Sequence, residues 1–163
     1  MEIALSGGAP LGIIECRYAV NTNSAGASIS ADTWTALAIT EFLDTGSHCS
    51  VSGGIMTLSS GTYRAVISST SFVSTATQIS LRLQNISDTL TPIKVPLCYA
   101  HTLASGYPLQ PIGTYGLFVI GASKDFQLEV LYEAAVTMGA VASTALNDPN
   151  GNLLAKVYLE KLA

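Results

Sequence analysis

Charge is what this chain has least of. Asp, Glu, Lys and Arg together make up 11% of its 163 residues, against about 25% in an average soluble domain. The basic residues, Arg17, Arg64, Arg82, Lys94, Lys124, Lys156 and Lys161, are scattered, and the net charge is −4. A phosphate backbone is gripped by clustered positive charge, so nucleic acid is excluded as the expected partner. Long apolar runs are missing too. The best candidate, Ala134 to Ala142, is interrupted by Thr137 and Gly139 and falls short of the ~18 residues that cross a bilayer as a helix. No membrane partner is expected.

Histidine and cysteine are equally scarce. There are two histidines, His48 and His101, and three cysteines, Cys16, Cys49 and Cys98. His48 adjoins Cys49 and His101 follows Cys98 by three, but neither pair has the spacing of a structural zinc site. No nucleophile elbow accompanies them. The expectation is no metal, no cofactor and no enzyme. An odd number of distant cysteines does not make a disulfide framework, so reduced thiols are expected. The segment "MEIALSGGAPLGII" has Glu2 where a signal peptide has basic residues, which points to synthesis and assembly in a cytoplasm. Asn85-Ile86-Ser87 fits a glycosylation acceptor by composition alone and is discounted without a secretion signal. "NDPNGN", Asn147 to Asn152, has oxygen ligands at alternate positions but no closing glutamate. It predicts a hairpin joining Val136–Ala145 to the last strand.

What the chain has in abundance is a two-residue rhythm. Ile79, Leu81 and Leu83 alternate with polar neighbours in Gln78 to Asn85. Phe126, Leu128, Val130 and Tyr132 repeat the pattern, as do Leu153, Ala155, Val157 and Leu159. Successive strand residues face opposite sides, so each set predicts one core-facing row. Tyr63, Ala65 and Ile67 alternate with Arg64, Val66 and Ser68 in the same way, after a Ser-Ser-Gly turn at Ser59 to Gly61. Tyr115 to Gly121, "YGLFVIG", is apolar throughout and predicts a strand covered on both sides. Gly-, Ser-, Asn- and Pro-rich breaks separate the runs, Ser52 to Gly54 among them. About eight to ten short strands of this kind predict an all-β jelly-roll sandwich. Ser and Thr, roughly a fifth of the residues, supply the polarity that charge does not. An apolar surface so thinly charged is best covered by copies of the same chain, so self-association is expected.

The order of landmarks resembles a known family. "TWTALAITEFLDTG", with Trp34, precedes "VSGGIMTLSSGTYRAVISS", then "LRLQN", "FQLEVLYEA" and a closing "LAKVYLEKLA". Leu58, Gly61 and Tyr63 form an L-x-x-G-x-Y turn that opens a central strand. From Ala31 to Ala163 this is similar to the C1q/TNF-like jelly-roll domains of bacteriophage virion proteins. The resemblance implies a homotrimer, with Tyr115, Leu117, Tyr132 and Tyr158 as interface candidates. It also implies a structural role: a trimeric decoration protein, of cement or head-fibre type, on the outside of a phage capsid. The expected organisation is an N-terminal arm or first strand over 1–20 and a jelly-roll domain over 21–163. In the arm, Ile3, Leu5, Leu11, Ile13 and Ile14 are the expected contacts to the major capsid protein. The short lead ahead of the domain favours a capsid over a tail shaft. The alternative is the receptor-binding tip of a tail fibre, reading a bacterial surface glycan through a loop such as Leu103 to Gly113 with Tyr107.

Overall fold

The computed structural model describes residues 11–20, 25–39, 41–71, 77–96, 98–100, 110–139 and 152–163. Those residues form fourteen strands and no helix. In chain order they are β1 (Gly12–Val20), β2 (Ala25–Ile29), β3 (Thr35–Ala36), β4 (Glu41–Asp44), β5 (Cys49–Ser52), β6 (Ile55–Leu58) and β7 (Gly61–Ser71). They continue as β8 (Thr77–Asn85), β9 (Leu90–Lys94), β10 (Cys98–Ala100), β11 (Gln110–Ile120), β12 (Lys124–Tyr132), β13 (Val136–Gly139) and β14 (Asn152–Lys161).

Two sheets carry the sandwich. One runs β11-β7-β14-β1-β4, and the other runs β10-β8-β12-β6-β5 with β3 on β12 and β9 on β8. The predicted rows meet between them. Tyr63, Ala65 and Ile67 from β7 and Ala155, Val157 and Leu159 from β14 close over Ile79, Leu81 and Leu83 of β8 and Phe126, Leu128 and Val130 of β12. The side chain of Leu153 lies outside the described residues. Tyr63 stacks on Phe118 with centroids 5.6 Å apart, and Phe118 reaches Phe126 of the opposite sheet at 5.5 Å. Aromatic pairs at this separation add about 0.5–1.5 kcal/mol to the burial of their surface.

The turns follow their chemistry. Ser52 pairs with Ile55 across Gly53 and Gly54, whose φ angles of 58° and 80° are those of a two-residue hairpin turn that glycine adopts at least cost. Ser59 to Gly61 does something different from a hairpin: it carries the chain from β6 in one sheet to β7 in the other. Gly61 has φ 153°, and a Cβ there would lie 2.4 Å from the Ala163 carbonyl oxygen. Only glycine fits. Tyr63 then turns inward and its hydroxyl donates to the Ser59 carbonyl at 2.8 Å, while Arg64 faces out. That arginine–tyrosine pair is strand alternation.

One expectation changes here. The described part of the Val136–Ala145 run is β13, and it pairs with β2 in a separate two-stranded sheet; the "NDPNGN" turn itself lies outside the described residues. Residues 12–20 are a strand held between β14 and β4; for that part of the 1–20 segment, of the two alternatives, arm or first strand, the structure has the strand.

Candidate functional site: the open face of the five-stranded sheet

Each sheet has an outer face, and the two are finished differently. On the five-stranded sheet the strand register lines up two rows. Tyr115 of β11 pairs with Val66 of β7, which pairs with Tyr158 of β14, then Glu15 of β1, then Leu43 of β4. In the next row, Leu117 pairs with Arg64, Arg64 with Glu160, and Glu160 with Ile13. Val119 extends the apolar side along β11, and Leu11 extends it below Ile13. Tyr115 is 80% exposed, Val119 73% and Leu117 57%. Along β11 these three make a contiguous apolar strip, more than the scattered single residues that ordinary surfaces carry.

The charges within these rows are already matched. Arg64 is ion-paired with Glu160, and Arg17 with Glu15 at 2.5 Å. The Tyr158 hydroxyl donates to Glu160 at 3.1 Å. Desolvation first, and then the carboxylate of Glu160, hold that phenol above its usual range. A shallow depression between Glu15, Arg17, Phe42 and Leu43 marks the β1/β4 side. The face is apolar along β11, carries two ion pairs in the middle and is indented at the other edge.

On the second sheet, polar groups cover the outer face. Arg82 of β8 pairs with Glu129 of β12 at 2.6 Å, and the Trp34 ring lies 4.2 Å from the guanidinium, with Lys94 on the same ring at 5.4 Å. Thr91 donates to Gln84 at 2.5 Å, and Lys124 reaches Asp88 at 2.7 Å. Bonding to Lys124, opposed by desolvation and assisted by Asn85, holds the Asp88 carboxyl below its ordinary range.

The sequence-predicted residues divide cleanly. Tyr115, Leu117 and the half-buried Tyr158 lie on the open face. So do Leu11 and Ile13, which the sequence analysis assigned to a different contact. Ile14 is fully buried: it neighbours Ile13 on a strand and must point the other way. Tyr132 is also fully buried, in the core-facing row of β12, and cannot touch a neighbouring subunit in this fold. Ile3 and Leu5 lie outside the described residues. The expectation that Tyr115–Gly121 is covered on both sides is corrected: Phe118 and Ile120 are buried, and Tyr115, Leu117 and Val119 are not. Val66, Val119 and Leu43 were missed. Parity along β7 and β11 marked the first two; Leu43 needed the β1–β4 register.

The histidine and cysteine positions make no catalytic arrangement among the described residues. Asp44 spends both oxygens on backbone donors: the N–H of Gly46 at 2.8 Å, of His48 at 2.5 Å and of Cys49 at 2.7 Å. The His48 ring lies against Gly12 and Gly46. Cys98 is a strand residue paired with Ile79, and His101 lies outside the described residues, as does most of the Leu103 to Gly113 loop. Among the described residues no group of three or more His, Cys, Asp or Glu side chains is placed to hold a metal ion.

No family model and no curated protein matches the chain. Solved structures do. Murine APRIL, crystallised at pH 8.0, superposes with a TM-score of 0.57 at 13% identity, over 92% of this chain and 98% of that one. An Eiger TNF from S. frugiperda gives 0.53 at 12% identity, over 94% of each chain. The globular domain of a zebrafish complement 1qA protein gives 0.52 at 11% identity, over 96% and 98%. At such identities the likeness speaks for the fold alone. The chain folds as a TNF/C1q-like jelly roll.

Proposed function

We propose that the chain is a non-enzymatic assembly module that forms a homotrimer through the open face of its five-stranded sheet, and that the trimer decorates the outside of a bacteriophage capsid. The observation that carries the first step is the run Tyr115, Leu117 and Val119, exposed on the outer side of β11 while the alternate residues are sealed in the core. Covering three such side chains removes large apolar area from water, at ~25 cal/mol per Å². Because Arg64–Glu160 and Arg17–Glu15 are paired within one copy, a second copy can cover these four side chains without leaving any of them as a lone buried charge. The number three comes from the C1q/TNF-like resemblance of the sequence. The capsid location comes from the phage character of that resemblance, and low charge with abundant Ser and Thr agrees with a surface-lining structural protein.

Sedimentation velocity tests the assembly: one species at three times the chain mass supports it, and a monomer at micromolar concentration removes it. Adding labelled protein to purified phage shells that lack it tests the location. Saturable binding to the shell supports decoration. Shells that stay bare, with signal on a bacterial glycan array instead, move the reading to a receptor-binding tip.

A further inference from the structure

The open face has two unlike ends. β11 and β4 are the outermost strands of the five-stranded sheet among the described residues, with β7, β14 and β1 between them. At ~4.8 Å per strand spacing they lie about 19 Å apart. β11 is the prominent end. No residue from Gln110 to Gly121 is charged, and Tyr115 is the most exposed side chain of the strip. β4 is the receding end, where Glu15, Arg17, Phe42 and Leu43 line a depression of about 170 Å³. Tyr115 and Leu43 are the two ends of one row, joined through Val66, Tyr158 and Glu15.

We propose that Tyr115 of one copy seats in the Glu15, Arg17, Phe42 and Leu43 depression of the next, so that the trimer closes through three identical junctions between unlike surfaces. This rests on the homotrimer reading above, and symmetry makes the step from it. A patch that pairs with itself does so about a twofold axis and is complete at two copies. A ring of three needs each copy to present one surface and receive on another. The two ends of this sheet are such a pair. Their sizes agree, since a cavity of roughly 150 Å³ takes a benzene ring and the depression is about that large. Their chemistry agrees as well. Phe42 and Leu43, 43% and 56% exposed, form an apolar wall for the tyrosine ring. The Glu15–Arg17 pair brings an acceptor and donors for its hydroxyl, and a tyrosine covered at an interface needs both kinds of surroundings. The uncharged β11 strip sets no ion of its own against that pair.

The test replaces Tyr115→p-benzoylphenylalanine, a photo-crosslinking change at an exposed position that spares the core. Sedimentation velocity fixes the mass of the protein, which is then irradiated, run on a denaturing gel, digested and mapped by mass spectrometry. The expected product is linked chains in which position 115 is joined to a peptide carrying Glu15 and Arg17 or Phe42 and Leu43. Filling the depression with Leu43→Trp, at a half-exposed site, should raise the concentration of half-assembly by about tenfold. A three-chain species that links 115 to 115, links it to the outer face of the seven-stranded sheet, or gives no linked chains overturns this junction and leaves the trimer standing. Unchanged assembly of the Leu43→Trp protein overturns it too. A protein that sediments as a monomer before irradiation removes the homotrimer reading, and the junction falls with it.

Discussion

The outer faces of the two sheets are built on the same backbone pattern and solve different problems. The seven-stranded sheet finishes its surface by itself. Trp34 lies over Arg82, Arg82 pairs with Glu129, and Glu129 is only 9% exposed. The five-stranded sheet leaves Tyr115, Leu117, Val119 and Leu43 in the open. A sandwich needs one buried face per sheet to be stable, and both sheets have that. What lies outside is free to vary, so an unfinished face on one side only is information about what the molecule meets.

The contrast can be broken where it is largest. Tyr115→Asp with Leu117→Asp should weaken self-association by about a thousandfold or more, taking two anchor residues at ~2 kcal/mol each, while far-UV circular dichroism stays unchanged. Gln127→Asp, on the covered face, should leave the mass in sedimentation equilibrium untouched. If both variants keep the wild-type mass, the open face is not the interface. The next effect belongs to the covered face. Glu129→Ala strands Arg82 in a mostly buried place and should cost about 3 kcal/mol in urea unfolding, with no change in assembly of the folded protein.

The same chemistry on the open face sharpens the comparison. Arg64 is about half exposed, so Arg64→Ala should cost the single chain under ~1 kcal/mol. It should weaken association by a larger factor, since Glu160 would then be covered without its partner. The smallest effect is at Asp88. Its depressed pKa means that its contribution is present above the ordinary carboxylate range and is lost as pH falls through the lowered value. Lys124→Ala removes the main cause, so the Asp88 carboxyl should titrate closer to its ordinary range by NMR. An unmoved titration would assign the depression to Asn85.

How much of this was legible in the sequence depended on whether local parity decided the matter. The inward rows on β7, β8 and β12 were, because alternation is written residue by residue. Parity also had the means to place Ile14 and Tyr132 in the core: Ile13 and Ile14 cannot share a surface, and Tyr132 continues the row of Phe126, Leu128 and Val130. The chemical attraction of tyrosine at interfaces obscured that evidence. The exposed side of β11 was hidden for another reason. Both of its faces are apolar, so the sequence pattern is the same whether a second layer belongs to one chain or to its neighbour. The pairing of β13 with β2 is a contact between distant segments, and no local periodicity encodes it.

One feature of the five-stranded sheet reaches beyond the finished molecule. The strand at its centre, β14, is the last of the fourteen in the chain, and it separates β1 from β7. While a ribosome is still making the polypeptide, β1 and β7 have no partner between them, and the row that will hold Ala155, Val157 and Leu159 is an empty slot. Sheets made from such remote pieces close slowly, and half-made ones offer sticky edges to other nascent chains. The slot closes only when translation has delivered β14, so folding of this sandwich waits for its last strand.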